Sequence, residues 1–232
     1  MKKIGFIGAF DKTDFIIYIA KILTTIGKKV IVIDSTLNQK AKYIVPVINP
    51  TTTYVTEYEG MDVAVGFDDF DKIKEYLGIP LHAVLPYDIA LVDTDNARVL
   101  ENFDMKTADL NYFVTSFDMY SLKKGLEILS GIREPLTITK VLFCKHILQE
   151  DDDYLNFLSL GYKIVWNEDR IYFPYELGDQ SVIIENQRVS KIKLKKLSNQ
   201  YKEGLAYIVE QIAGNINNVE VKKVMRQIER GV

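Results

Sequence analysis

The chain has 232 residues, 47% hydrophobic and 26% charged, with 14 tyrosines, 11 phenylalanines and a formal net charge of −3. That is enough apolar material for one buried core, and it excludes a disordered chain. The acidic balance (pI near 5.6) gives no bulk reason to expect nucleic-acid binding, and a single cysteine excludes an internal disulfide framework.

Residues 4–34, IGFIGAFDKTDFIIYIAKILTTIGKKVIVID, read as strand, tight loop, apolar helix, glycine turn and a second strand ending in a carboxylate. The loop Gly8-Ala9-Phe10-Asp11-Lys12-Thr13 ends in the Lys-Thr pair of a phosphate-binding loop. In such loops backbone N–H groups and a helix N-terminus face one phosphate, the lysine bridges the terminal phosphates, and the hydroxyl binds magnesium. Asp11 stands where that loop has glycine, a residue that allows close backbone approach and positive φ. A carboxylate about 4 Å from a phosphate charge costs roughly 4 kcal/mol at an effective dielectric of 20. Two readings stay open: a loop that still binds nucleotide, and a strand-to-helix turn that is no longer loaded.

Downstream, 38–59 is the most irregular stretch and reads as a long excursion. Strands are predicted at 61–67, 89–93, 112–116, 137–143 and 163–166, several as continuous apolar runs of the kind covered on both faces of a parallel sheet. Helices are predicted at 68–77, stopped by Gly78, and at 120–129. Cys144 ends an apolar run and reads as a buried structural thiol, consistent with a reducing cytosol. Asp151-Asp152-Asp153 lacks the pattern of a calcium loop and reads as a solvated helix N-terminus. A long helix is predicted over 189–213, with Lys191, Lys193, Lys195 and Lys196 on a solvated face. The segment 219–228 places Val221, Val224, Met225 and Ile228 on one helical face but lacks the bulky residues of a membrane anchor. No signal-peptide pattern precedes the first strand, so a cytoplasmic protein is expected. Alternating strands and helices predict one α/β domain, a doubly wound, mainly parallel sheet flanked by helices, with 214–232 as a C-terminal tail.

The order of these landmarks resembles that of the ParA/MinD-like ATPases, the deviant Walker A group of P-loop proteins. GAFDKTD is followed by KKVIVIDST, YDIALVDTDN, the strand and helix of residues 108–129, VLFCK and IYFPYELGDQ. The resemblance covers nearly the whole chain and implies ATP and magnesium as ligands. Gly8, Ala9, Phe10, Asp11, Lys12, Thr13, Lys145 and Pro174 would contact nucleotide. Thr13, Asp34 and Asp93 would hold magnesium, the last two through water. An Asp at the end of a parallel strand can also simply cap the next turn, a reading that stays open for Asp34 and Asp93.

Several family positions depart from the pattern. The signature lysine that reaches a partner's nucleotide falls on Ile7, the loop glycine on Asp11, the second carboxylate of D-x-D on Thr36, and the switch glycine near Asn96. Phosphoryl transfer depends on placed charge, so hydrolysis is expected to be slow or absent. The expected role is positioning or assembly of a partner, as in the atypical TadZ-like relatives. The alternatives are a scaffold that binds no nucleotide and a DNA-partitioning ATPase using the lysine face. A homodimer or a protein partner is expected; nucleic-acid and peripheral membrane contacts are not.

Overall fold

The computed structural model describes residues 1–47, 51–146 and 148–230. Strands β1 (Lys2–Ile7), β2 (Val30–Asp34), β3 (Tyr54–Tyr58), β4 (Met61–Val65), β5 (Ile89–Thr94), β6 (Leu110–Ser116), β7 (Leu136–Cys144) and β8 (Ile164–Pro174) form one eight-stranded sheet. Its order is β3-β4-β2-β5-β1-β6-β7-β8. Every neighbouring pair is parallel except β3 with β4. That hairpin closes through Glu59 and Gly60, both at positive φ, the two-residue turn that matches strand twist.

Helices connect the strands: α1 (Thr13–Thr25), α2 (Ala41–Ile44), α3 (Phe70–Leu77), α4 (Ala97–Asn102), α5 (Met119–Leu129), α6 (Gln149–Leu158), α7 (Leu177–Val189), α8 (Asn199–Ala213) and α9 (Asn218–Arg230). The sheet is covered on both faces. Ile4, Phe6, Val32 and Leu91 pack with α1, α8 and α9 on one side; Ile7, Ile33, Val92 and Phe113 pack with α3, α4, α5 and α6 on the other. This is why the strands read as unbroken apolar runs. Local signals set the ends. Asp69 and Asp118 accept from the N–H of Lys72 and Ser121 and so cap α3 and α5, while Gly78 ends α3 at φ +67°.

Several sequence expectations need correction. The helix expected over 189–213 is helical only from Asn199: α7 ends at Val189, where Ser190 takes φ +49°, and a non-helical segment precedes α8. From Ser190 onward, residues 191–194 form no helix and 195–197 make a turn, closed by the Leu197 N–H on the Leu194 carbonyl at 3.0 Å, with Ile192, Leu194 and Leu197 buried and the four lysines exposed. The Ile192/Leu194 alternation is a period-two signal inside what looked like a helix. Ser198 then caps α8, and Asp179 receives its N–H and hydroxyl. The irregular stretch 38–59 holds α2 and β3, with 48–50 outside the described residues, as are 231–232 of the tail. The strand at 163–166 extends to Pro174, past a bulge opposite Ile138 and Lys140. Asp152 is not solvated: it is buried and pairs with Lys140 and Arg170. Cys144 is only half-buried, and burial raises its pKa. The terminal helix α9 buries Val221 and Met225 against α1 and α8. Among the described residues no helix is long and apolar enough to cross a membrane.

Candidate functional site

The site lies at the C-terminal ends of β1, β2 and β5, where an α/β sheet presents its loops. Gly8 leaves β1 at φ +145°, and a Cβ there would stand 2.2 Å from the Val114 carbonyl oxygen. No other residue fits. The chain then turns through Ala9, Phe10 and Asp11 into α1, whose N-cap, Lys12, makes no side-chain cap. The apolar body of α1 is buried from Phe15 to Leu23 with Lys21 at its edge, so the helix axis is fixed under the loop.

Lys12 is 3% exposed. Its ammonium donates to the Gly8 carbonyl at 2.8 Å and lies 2.8 Å from Asp93 Oδ1. Thr13 Oγ1 donates to Asp93 Oδ2 at 3.2 Å. Asp93 Oδ1 is buried with the Lys12 ammonium against it. Burial pushes Asp93 up to about 6; Lys12 pulls it down and Asp34 pushes it up. Both oxygens of the carboxylate are engaged from the loop side, Oδ1 by the Lys12 ammonium and Oδ2 by the Thr13 hydroxyl.

Asp34 is also buried, but its oxygens are occupied. Oδ1 accepts from Thr36 N (3.1 Å) and Thr36 Oγ1 (2.6 Å), and Oδ2 accepts from Ala41 N (2.8 Å). Burial raises its pKa and these hydrogen bonds oppose the shift. In this geometry Asp34 caps the turn and the short helix after β2. Ile7 is buried in the core and points away from the loop's cavity.

Asp11 is not in the left-handed region, so this loop does not need glycine's backbone freedom at that position. Its side chain is 57% exposed and meets Lys40 at 2.6 Å. Lys40 also meets Asp14 at 2.6 Å, and Asp14 receives both hydrogen bonds of Gln187 Nε2, each 2.9 Å. Burial lowers the Lys40 pKa, but Asp14 and Asp11 outweigh it and leave it raised.

Two cavities adjoin along Phe10, Asp11 and Lys40. The first, about 450 Å³, is lined by residues 8–13 with Thr36, Asn38, Tyr43, Asp93 and Asp95. The second, about 350 Å³, is walled by Phe143, Pro174, Tyr175, Ile183 and Tyr201. Phe10 stacks on Phe143 with ring centres 4.8 Å apart and meets Tyr175 edge-on at 6.3 Å. Gly8 to Thr13 and Asp93 thus come together, Pro174 joins them in the second cavity, and Lys145 is exposed and lines neither. Sequence reasoning missed Lys40, Asp14 and the aromatic wall. Only the acidic residue at 11 hinted that a cation must stand nearby.

No protein-family model matches the sequence, and none of the curated proteins matches it. Solved structures do. The ATP complex of a McdA variant from Cyanothece superposes with a TM-score of 0.57 at 11% identity, over 94% of this chain and 98% of that one. A plasmid partition protein from Borrelia burgdorferi B31 bound to AMPPNP gives 0.56 at 12% identity, over 93% and 99%. The MinD cell division protein of Aquifex aeolicus gives 0.54 at 14% identity, over 94% and 99%. The chain therefore has the fold of the ParA/MinD ATPases, with a mainly parallel sheet flanked by helices.

Proposed function

We propose that the protein binds ATP with magnesium across the two cavities, hydrolyses it slowly or not at all, and acts by positioning or assembling a partner. The observation that carries this reading is the convergence of Lys12 and Thr13 on Asp93 at the head of α1, on the floor of the first cavity. The residues fit the ligand. The N-terminus of α1, where Asp11 Oδ1 takes the Thr13 N–H at a long 3.4 Å, and the Lys12 ammonium suit a triphosphate. Thr13 Oγ1 and the Asp93 carboxylate suit a hard cation, and Asp34 braces the neighbouring turn. When bound, magnesium supplies charge neutralisation between the terminal phosphates. Phe10, Tyr175 and Pro174 offer a flat apolar wall for a base. Support also comes from the two structures of this fold that hold ATP or AMPPNP.

Slow turnover is supported by what the site lacks. Thr36 hydrogen-bonds Asp34 where a water-positioning carboxylate would stand, and Ile7 is committed to the core. The partner role is supported by exposed apolar side chains around the mouth, Leu37, Tyr43, Tyr120, Tyr175 and Leu177, which suit a second copy of the chain or another protein. DNA partitioning has less support, because the lysines of 191–196 lie along a connecting segment in an acidic protein, one of them paired with Glu185.

Calorimetric titration with ATP–Mg is the test. Saturable binding by the wild type and its loss in Lys12→Ala are expected, with turnover slower than about one per second. A wild type that binds no ATP–Mg, or Lys12→Ala binding equally well, would overturn the reading in favour of a scaffold that uses no nucleotide.

A further inference from the structure

We propose that Lys40 is a charge-compensating residue of the nucleotide site, which makes the Asp11 carboxylate compatible with a polyphosphate. The inference rests on the ATP–Mg reading above and deepens it. Asp11 and Lys40 line both cavities, so their ion pair stands where a triphosphate in the first would join a base in the second. The exposed side of Asp11 faces that junction, and a bare carboxylate there would repel every phosphate oxygen within a few ångströms. Lys40 removes that repulsion at its source, with its ammonium 2.6 Å from Asp11 Oδ2.

The lysine is held in place rather than drawn in by chance. Asp14 on the first turn of α1 takes it at 2.6 Å, and Gln187 on α7 fixes Asp14 in turn. The backbone before α2 is set by Asp34, which accepts the N–H of Ala41, next in sequence to Lys40. Asp11 occupies no left-handed conformation, so Asp11→Gly removes the charge without relieving backbone strain. Asp11 and Lys40 are therefore one unit. Removing the lysine alone should leave both Asp11 and Asp14 without a counter-charge. Removing both Lys40 and Asp11 should return the cluster to its starting net charge, with Asp14 still held by Gln187.

A double-mutant cycle tests this, read by titrating a fluorescent ATP analogue with magnesium at low salt. Lys40→Met should weaken binding at least tenfold in the wild-type background and threefold or less when combined with Asp11→Gly. Lys40→Arg should keep wild-type affinity, since charge and not shape is required. The tenfold loss should shrink in high salt, which a packing defect would not do. Should Lys40→Met unfold the protein, Lys40→Gln read in both backgrounds serves in its place. Equal losses in both backgrounds, or no loss in the wild type, would overturn the pairing while leaving Lys12-dependent ATP binding intact. Loss of binding in no variant, Lys12→Ala included, would bring down the nucleotide reading and this inference together.

Discussion

Among the described residues two lysine–aspartate pairs are buried, and they differ in their surroundings. Lys140 and Asp152 lie 2.7 Å apart between β7 and α6, and Lys12 and Asp93 lie 2.8 Å apart under the loop after β1. The first pair is closed. Lys140 also donates to Asn156 and stands 5.1 Å over the Trp166 ring, while Asp152 takes Arg170 at 3.0 Å. No cavity touches it among those described above. The second pair is open. Lys12 and Asp93 both form part of a cavity wall. A buried pair enclosed by protein fixes structure; one beside a cavity is poised to exchange partners.

Substitution should separate the two, most sharply at the closed pair. Asp152→Ala leaves the Lys140 ammonium buried without its main counter-charge, and urea denaturation should show a loss of about 3–5 kcal/mol. A loss under 1 kcal/mol would mean that Asn156 and Trp166 suffice.

The open pair should reveal itself through pH. Asp93 has a folded pKa near 6 against an ordinary 3.8, so between those values the folded chain holds the proton more often than the unfolded one. Its contribution to stability is full below pH 4 and is lost as pH rises through 6, a swing of about 3 kcal/mol. Urea melts of wild type and Asp93→Asn from pH 4 to 6.5 should differ by this slope. Parallel profiles would show that Lys12 already cancels the burial.

The smallest effect belongs to an exposed pair. Lys196 and Glu185 meet at 3.1 Å in solvent, and Lys196→Ala should leave the melting temperature unchanged within error. A measurable drop would mean that the segment between α7 and α8 is stiffer than its exposure suggests.

The same contrast explains what could be read in the sequence. The sheet was legible because β1, β2, β5 and β7 each carry a run of consecutive apolar residues, a pattern that local sequence carries by itself. The loop at Gly8–Thr13 was legible because its residues are contiguous. Asp152 was misread because its burial depends on Lys140 and Arg170, which only the pairing of β7 with β8 brings to it. Lys40 was invisible for a similar reason: its partners lie on the other side of β2, and nothing in the stretch around it signals a charge-matching role. Lys191–Leu197 was misread because lysines spaced among apolar residues satisfy helical and extended patterns alike, and only the left-handed turn at Ser190 decides between them.

The strand order has a consequence for synthesis. Lys2 pairs with Ile89 and Ile7 with Phe113, and the Gly8 turn closes against the Val114 carbonyl. Nothing near the N-terminus can therefore settle until the chain has been made past residue 114. At ribosomal rates of about 5–20 residues per second that is a wait on the order of ten seconds. Through it α1 has at most the strands up to β5 beside it, without the later strands of the sheet. The part of the nascent chain most open to misassociation, and to capture by chaperones, is thus the part that later carries the loop.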